Sequence, residues 1–162
     1  MITLTLQEPP PVPLEAEMLT PDTIAPLTID EVRSLPIYLG KRQRRVGDFF
    51  AVEGESGDEL EIRGDAGRVK WIGRGMTRGR IRIDGHAGMH LGSAMKGGAI
   101  EVSGDAGDWL GAEMSGGFIH VHCSPAYFET GDVLDRVLHF SRELGADDRK
   151  TLSEALLRNR PR

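Results

Sequence analysis

The chain has 162 residues, a net charge of −5, 39% hydrophobic and 28% charged residues, and a single cysteine, Cys123. One domain of ordinary soluble composition fits these values. They exclude a basic nucleic-acid footprint and an internal disulfide, and they predict a reducing, cytoplasmic setting. The start "MITLTLQEPPP" lacks the basic and apolar regions of a signal peptide, and no run approaches the roughly 18 apolar residues of a membrane span, so neither nucleic acid nor membrane is expected as a partner.

In chain order, "ITLTLQ" alternates apolar and polar and predicts a strand. "EPPPVPLEAE" holds four of the nine prolines and reads as an extended connector. "LTIDEVRSL" carries a capping box from Thr28 to Glu31 ahead of a short helix that Pro36 stops. "KRQRR" comes next, with Lys41, Arg42, Arg44 and Arg45 as the one basic run in an acidic chain. Its plain reading is a solvated loop; its functional reading is an anion or partner contact. The first fifty residues are expected to lie over the open start of the repeats that begin near residue 60.

Fifteen of the 21 glycines lie between Gly64 and Gly117. They belong to repeats: "LEIRGDAGRVKWIGRGMTRG" (60–79), "IRIDGHAGMHLGSAMKGG" (81–98) and "IEVSGDAGDWLGAEMSGG" (100–117), with a fourth beginning "IHVHCSP". Met76, Met95 and Met114 recur every 19 residues, as do Gly73, Gly92 and Gly111. Gly64, Gly85 and Gly104, and Gly67, Gly88 and Gly107, mark two further corners. The first repeat carries two extra residues around Val69–Trp71. Each unit opens with alternation (Leu60/Ile62, Ile81/Ile83, Ile100/Val102, Ile119/Val121), then turns on glycine and presents a second apolar cluster. Two or three short strands per unit, stacked about 4.8 Å apart, describe a β-helix. Ile62, Ile83, Val102 and Val121 then form one inner ladder, the methionines another, and Ala66, Ala87 and Ala106 stack at a corner. The outward columns read Glu61/Arg82/Glu101/His120, Arg63/Asp84/Ser103/His122 and Asp65/His86/Asp105, with signs that alternate between neighbours.

No residue pattern supplies catalysis. "GRGMTRG" has the wrong glycine spacing for a phosphate cradle. His120 and His122 of H-x-H-C share a strand face and could chelate zinc, but no fourth ligand of matching spacing appears. The preferred reading keeps them as solvent-facing ladder positions and His86 as a surface histidine between Asp65 and Asp105. His90 takes the same surface reading. Cys123 lacks a triad. Trp71 and Trp109 sit on rung corners, as interface anchors or as core. After residue 122 the repeat breaks. Residues 132–144 and 148–158 predict two helices, the first with a stripe of Val133, Val137, Phe140 and Leu144 that would dock on the open coil end unless a partner takes that place.

The repeat "GDAG…G…M-x-G-G" resembles the GXGXG β-helix domain. The head "TIDEVRSLPIYLGKRQRRVGDFFAVEG" (28–54) resembles the segment leading into the repeats in the C subunits of formylmethanofuran dehydrogenase and of the bacterial formyltransferase/hydrolase complex. The resemblance covers roughly residues 1–122. It implies a mainly β fold: a short right-handed single-stranded β-helix of about 19 residues per coil, with an N-terminal α/β cap (1–57), the repeats (58–122) and a helical tail (123–162) atypical of the family. A shortened member and an end replaced by a change of reading frame both explain that tail. The function implied is a non-catalytic scaffold subunit in one-carbon metabolism. Its partners are the other subunits of a formyl-transferring complex. This chain binds no cofactor or metal; the complex uses a methanofuran-type formyl carrier, whose carboxylate-rich tail suits Lys41, Arg42, Arg44 and Arg45. The alternative is a structural module of a glutamate synthase-like amidotransferase, which shares the repeat but not the head. A polysaccharide-acting β-helix enzyme would need an acidic outward face, and the mixed columns argue against it.

Overall fold

The computed structural model describes residues 1–121. His122, Cys123 and the two tail helices, with their predicted docking, lie outside the described residues.

Each glycine-rich repeat opens with one strand: β6 (Glu59–Arg63), β8 (Arg80–Asp84), β9 (Lys96–Val102) and, for the fourth, β10 (Gly116–Val121). They pair in parallel, with Leu60, Ile81, Ile100 and Ile119 in one register and Ile62, Ile83, Val102 and Val121 in the next. Ile62, Ile83 and Val102 are buried as the alternation predicts. Ala66, Ala87 and Ala106 bridge in parallel at the corner. The result is a mainly β solenoid of about three turns.

The far wall of each coil is not a second strand but two overlapping turns. The amide of Arg74 donates to Trp71 O (3.2 Å) and that of Met76 to Gly73 O (3.2 Å). The pair recurs at His90–Met95 and Trp109–Met114. Each turn needs a left-handed third residue: Gly73, Gly92 and Gly111 in the first, and Gly75, Ala94 and Glu113 in the second. Among the described residues, only the first repeat adds a strand, β7 (Val69–Lys70), out of its two extra residues. Turns build a thin coil. A Cβ on Gly73 would stand 2.7 Å from Ile100 Cδ1 and 3.2 Å from Ile81 Cδ1, so the glycine makes room for the isoleucine ladder across the core. Gly104 meets a different limit: its Cβ would stand 2.8 Å from Gly85 O one rung away.

The N-terminal region is more than a cover. Strand β1 (Ile2–Leu6) pairs in parallel with β6, placing Ile2 beside Leu60 and Leu4 beside Ile62. Strand β2 (Leu14–Glu15) pairs in parallel with β7. Residues 2–15 therefore extend the same ladders by one rung. The reversal comes next. Strand β5 (Phe50–Gly54) runs antiparallel to β1, and β3 (Pro36–Leu39) antiparallel to β2, with β4 (Arg42–Arg45) outside β3. The sheet orders are β10-β9-β8-β6-β1-β5 and β4-β3-β2-β7. One apolar cluster runs from Val32, Ile37 and Phe50 through the rungs to Ile119.

Two short helices brace this end. In α1 (Pro21–Ile24), Asp22 accepts from the Thr77 amide at 2.9 Å and from the Thr77 hydroxyl, tying the helix to the end of the first repeat. Burial alone would raise the Asp22 pKa, but these hydrogen bonds outweigh it and hold the carboxyl below its ordinary value. Helix α2 (Ile29–Ser34) has the expected capping box: Thr28 N donates to Glu31 Oε2 at 2.8 Å and Glu31 N to Thr28 Oγ1 at 3.4 Å. Donation from Thr28 to the Glu31 carboxylate lowers the Glu31 pKa. Leu35, with ψ 138°, takes the extended form imposed by the following Pro36 and ends the helix.

Candidate functional site

The basic run is a strand, not a loop. Gly40, at φ +60°, opens a two-residue turn with Lys41, and β4 returns along β3 with Leu39 opposite Arg42 and Pro36 opposite Arg45. Arg42 and Arg44 share the face of buried Ile37, at the rim of the core; Gln43 and Arg45 share the face of Tyr38, which is 45% exposed. Asp48 Oδ2 accepts from the Arg45 amide at 2.9 Å and fixes the end of the strand. Among the described residues, none of Lys41, Arg42, Arg44 and Arg45 makes an ion pair. Four cations thus line one sheet edge. A hollow of about 440 Å³ lies between Gln7–Pro11 and Asp48–Phe49, and its own charges, Glu8 and Asp48, are acidic.

The outward columns are partly realised. Arg82 faces Glu101 at 3.8 Å. Glu61 instead binds Arg63 on its own strand at 2.7 Å and accepts from Thr3 at 3.2 Å. Ser103 Oγ donates to Asp84 at 3.3 Å and accepts from the Gly85 amide at 2.9 Å. His86 Nδ1 accepts from the Asp105 amide at 3.0 Å, as expected of a surface histidine, while Asp65 turns back to cap Gly67 N at 3.0 Å.

His120 departs from the expectation. It stands in register with Glu101 on β10, yet it is 5% exposed rather than solvent-facing. Alternation along one strand reads which side a residue takes, but not whether that side meets water. Among the described residues, no group of three or more histidine, cysteine, aspartate and glutamate side chains comes together as a metal site would need.

The 19-residue step also aligns Trp71, His90 and Trp109, three residues that the sequence presents as unrelated. The Trp71 and His90 rings stack with centroids 4.0 Å apart and planes 3° apart; His90 and Trp109 lie 6.0 Å and 13° apart. All three residues hold left-handed backbone, at φ 68°, 61° and 63°, a conformation that costs about 1–2 kcal/mol for a residue with a Cβ. The Arg74 guanidinium lies 4.6 Å from the Trp71 ring centroid and pairs with Glu17 at 2.7 Å. Trp109, at the other end, is 66% exposed.

Fold and surface together define a β-solenoid module, closed at its start by reversed strands and carrying its charge on stacked ladders and one basic edge. Its relatives are more specific. No family model matches the chain. It is 46% identical over 82 residues to the C subunit of molybdenum-containing formylmethanofuran dehydrogenase 1 of Methanothermobacter marburgensis, a match covering 49% of this chain and 20% of that one. It is 42% identical over 95 residues to the C subunit of tungsten-containing formylmethanofuran dehydrogenase 2 of Methanothermobacter thermautotrophicus, covering 56% and 35%. A chain of the crystal structure of the formyltransferase/hydrolase complex from Methylorubrum extorquens, determined with methylofuran, superposes with a TM-score of 0.71 at 30% identity, covering 75% of this chain and 46% of that one. The matched part thus spans a fifth to about a third of these curated relatives. In sequence the chain is similar to the C subunits of formylmethanofuran dehydrogenases, and in fold to a chain of the formyltransferase/hydrolase complex.

Proposed function

We propose that the protein is a non-catalytic scaffold subunit of a formyl-transferring complex of the formylmethanofuran dehydrogenase or formyltransferase/hydrolase type, working in cytoplasmic one-carbon metabolism. The observation that carries this reading is the likeness to both kinds of relative, by sequence to C subunits and by fold to a chain of an assembled complex. Ladders that satisfy one another from rung to rung suit a rigid support, because they hold the solenoid surface in one shape.

The partners are the other subunits of the complex. The formyl carrier is a methanofuran-type amine that the complex, rather than this chain alone, binds. The cations at Lys41, Arg42, Arg44 and Arg45, free of ion pairs among the described residues, fit a carboxylate-bearing surface or carrier tail by charge. When bound, the carrier supplies the amine that bears the formyl group; the basic edge would orient its carboxylates and take no part in bond making.

Copurification with a tagged full-length chain from its native cell tests the reading. Recovery of formyltransferase-like subunits is expected. Recovery of glutamine-dependent amidotransferase subunits instead would overturn it.

A further inference from the structure

The aromatic column has one closed end and one open end. At the closed end, the Arg74 guanidinium lies over Trp71 and is held there by the Glu17 carboxylate at 2.7 Å. This is a complete recognition unit: an indole face, a planar cation and a carboxylate. At the open end, Trp109 is 66% exposed, the most exposed of the large apolar side chains described. Its flanking residue Asp108 and the corner residue Glu113 are both exposed and, among the described residues, make no ion pair. Residues 97–121 contain no lysine or arginine at all. Among the described residues, the open end therefore has an exposed indole flanked in sequence by unpaired carboxylates, and no cation over its ring.

We infer that Trp109, with Asp108 and Glu113, is a docking point for an arginine side chain of a partner protein in the complex, seated as Arg74 is seated on Trp71. Arginine suits the place better than lysine, because its flat guanidinium stacks on an indole while its edge donates to a carboxylate. The backbone supports the purpose. Three successive rungs hold a left-handed residue other than glycine at the column position, as Ala94 and Glu113 also do further along the turn, while the position two residues on from the column is glycine in all three. Exposed tryptophan beside charge of one sign is a common anchor in protein interfaces.

The inference rests on the scaffold reading for its partner, so the test has two arms. In the first, the full-length chain is titrated with a tetra-arginine peptide while the indole N–H resonances of its two tryptophans are followed. The Trp109 signal should shift saturably, and the Trp71 signal, already covered by Arg74, should not. Asp108→Asn with Glu113→Gln should weaken binding about fivefold to tenfold, and tetra-lysine should bind more weakly. An unmoved Trp109 signal overturns the inference, as does equal binding of tetra-lysine. In the second arm, the chain is assembled with the formyltransferase-like subunits. Trp109→Ala should lower their affinity about tenfold and Trp109→Phe much less, with the variant's melting unchanged. Unchanged affinity in Trp109→Ala overturns the docking point. Failure of the unaltered chain to assemble, with a positive first arm, counts against the scaffold reading instead.

Discussion

The first rung of the solenoid and the three glycine-rich rungs solve the same packing problem differently. Both align apolar side chains in parallel register, with Ile2 and Leu4 continuing the ladders of Leu60 and Ile62. The repeats turn on glycines that spare a Cβ where it would strike an isoleucine or a carbonyl. The first rung reaches its second strand through "QEPPPVP", whose carbonyls at Pro10 and Pro11 accept from Arg68 of the rung above at 3.3 and 3.1 Å. Stacking thus requires matched register and filled hydrogen bonds; glycine is one way to round a tight corner, and a longer proline path anchored by an arginine is another.

If the two regions share one core, a charge should unfold either with equal effect. Ile83→Asp in the repeats and Leu4→Asp in the first rung, both buried, should each cost several kcal/mol. Thermal unfolding by calorimetry checks this. A large loss in the first with a small one in the second would separate the N-terminal rung from the core.

Gly92→Ala asks whether the repeat corners depend on the missing Cβ. Gly92 has φ +63°, and a Cβ there would lie 2.5 Å from Ile119 Cδ1 and 3.2 Å from Ile100 Cδ1. Left-handed strain of about 1–2 kcal/mol adds to overpacking of about 1–3 kcal/mol, so urea denaturation should show a loss of about 2–5 kcal/mol. A loss below about 1 kcal/mol would remove the steric account of the glycines.

Ala94→Gly sharpens the comparison in the opposite direction. Ala94 holds φ 55° at a turn position where the first repeat has Gly75. Relief of about 1–2 kcal/mol of strain exceeds the roughly 0.4–1 kcal/mol that a more flexible unfolded chain costs. The variant should gain up to about 1.6 kcal/mol, visible as a small rise in melting temperature. A decrease would mean that the methyl group packs usefully.

Much of the architecture is legible in the sequence. The 19-residue step, the Ile62/Ile83/Val102 ladder, the alanine corner and the Thr28 capping box all follow from local patterns that a stacked fold leaves intact. The first rung is hidden, because "ITLTLQEPPP" has the alternation of the repeats but none of their glycines, and register across a sheet is a long-range property. The far wall reads as strand because Ile72 and Met76 are both apolar; the left-handed residues between them make it a pair of turns. His120 misleads because alternation is blind to what covers a face. The Trp71–His90–Trp109 column lies in the same 19-residue step as the methionines, but unlike residue letters hide a shared position.

The reversed strand β5 gives the molecule a direction of growth. A parallel stack can be lengthened wherever its next strand can run in the same sense, and β5, antiparallel on β1, forbids this at the N-terminal end. Whole coils can be inserted or lost only on the side away from it, and each displaces the elements beyond it by about 4.8 Å along the axis. The solenoid is therefore a ruler with a fixed zero. Evolution can adjust its reach in steps of one 19-residue cassette, leaving the basic edge and the helices at the zero mark undisturbed.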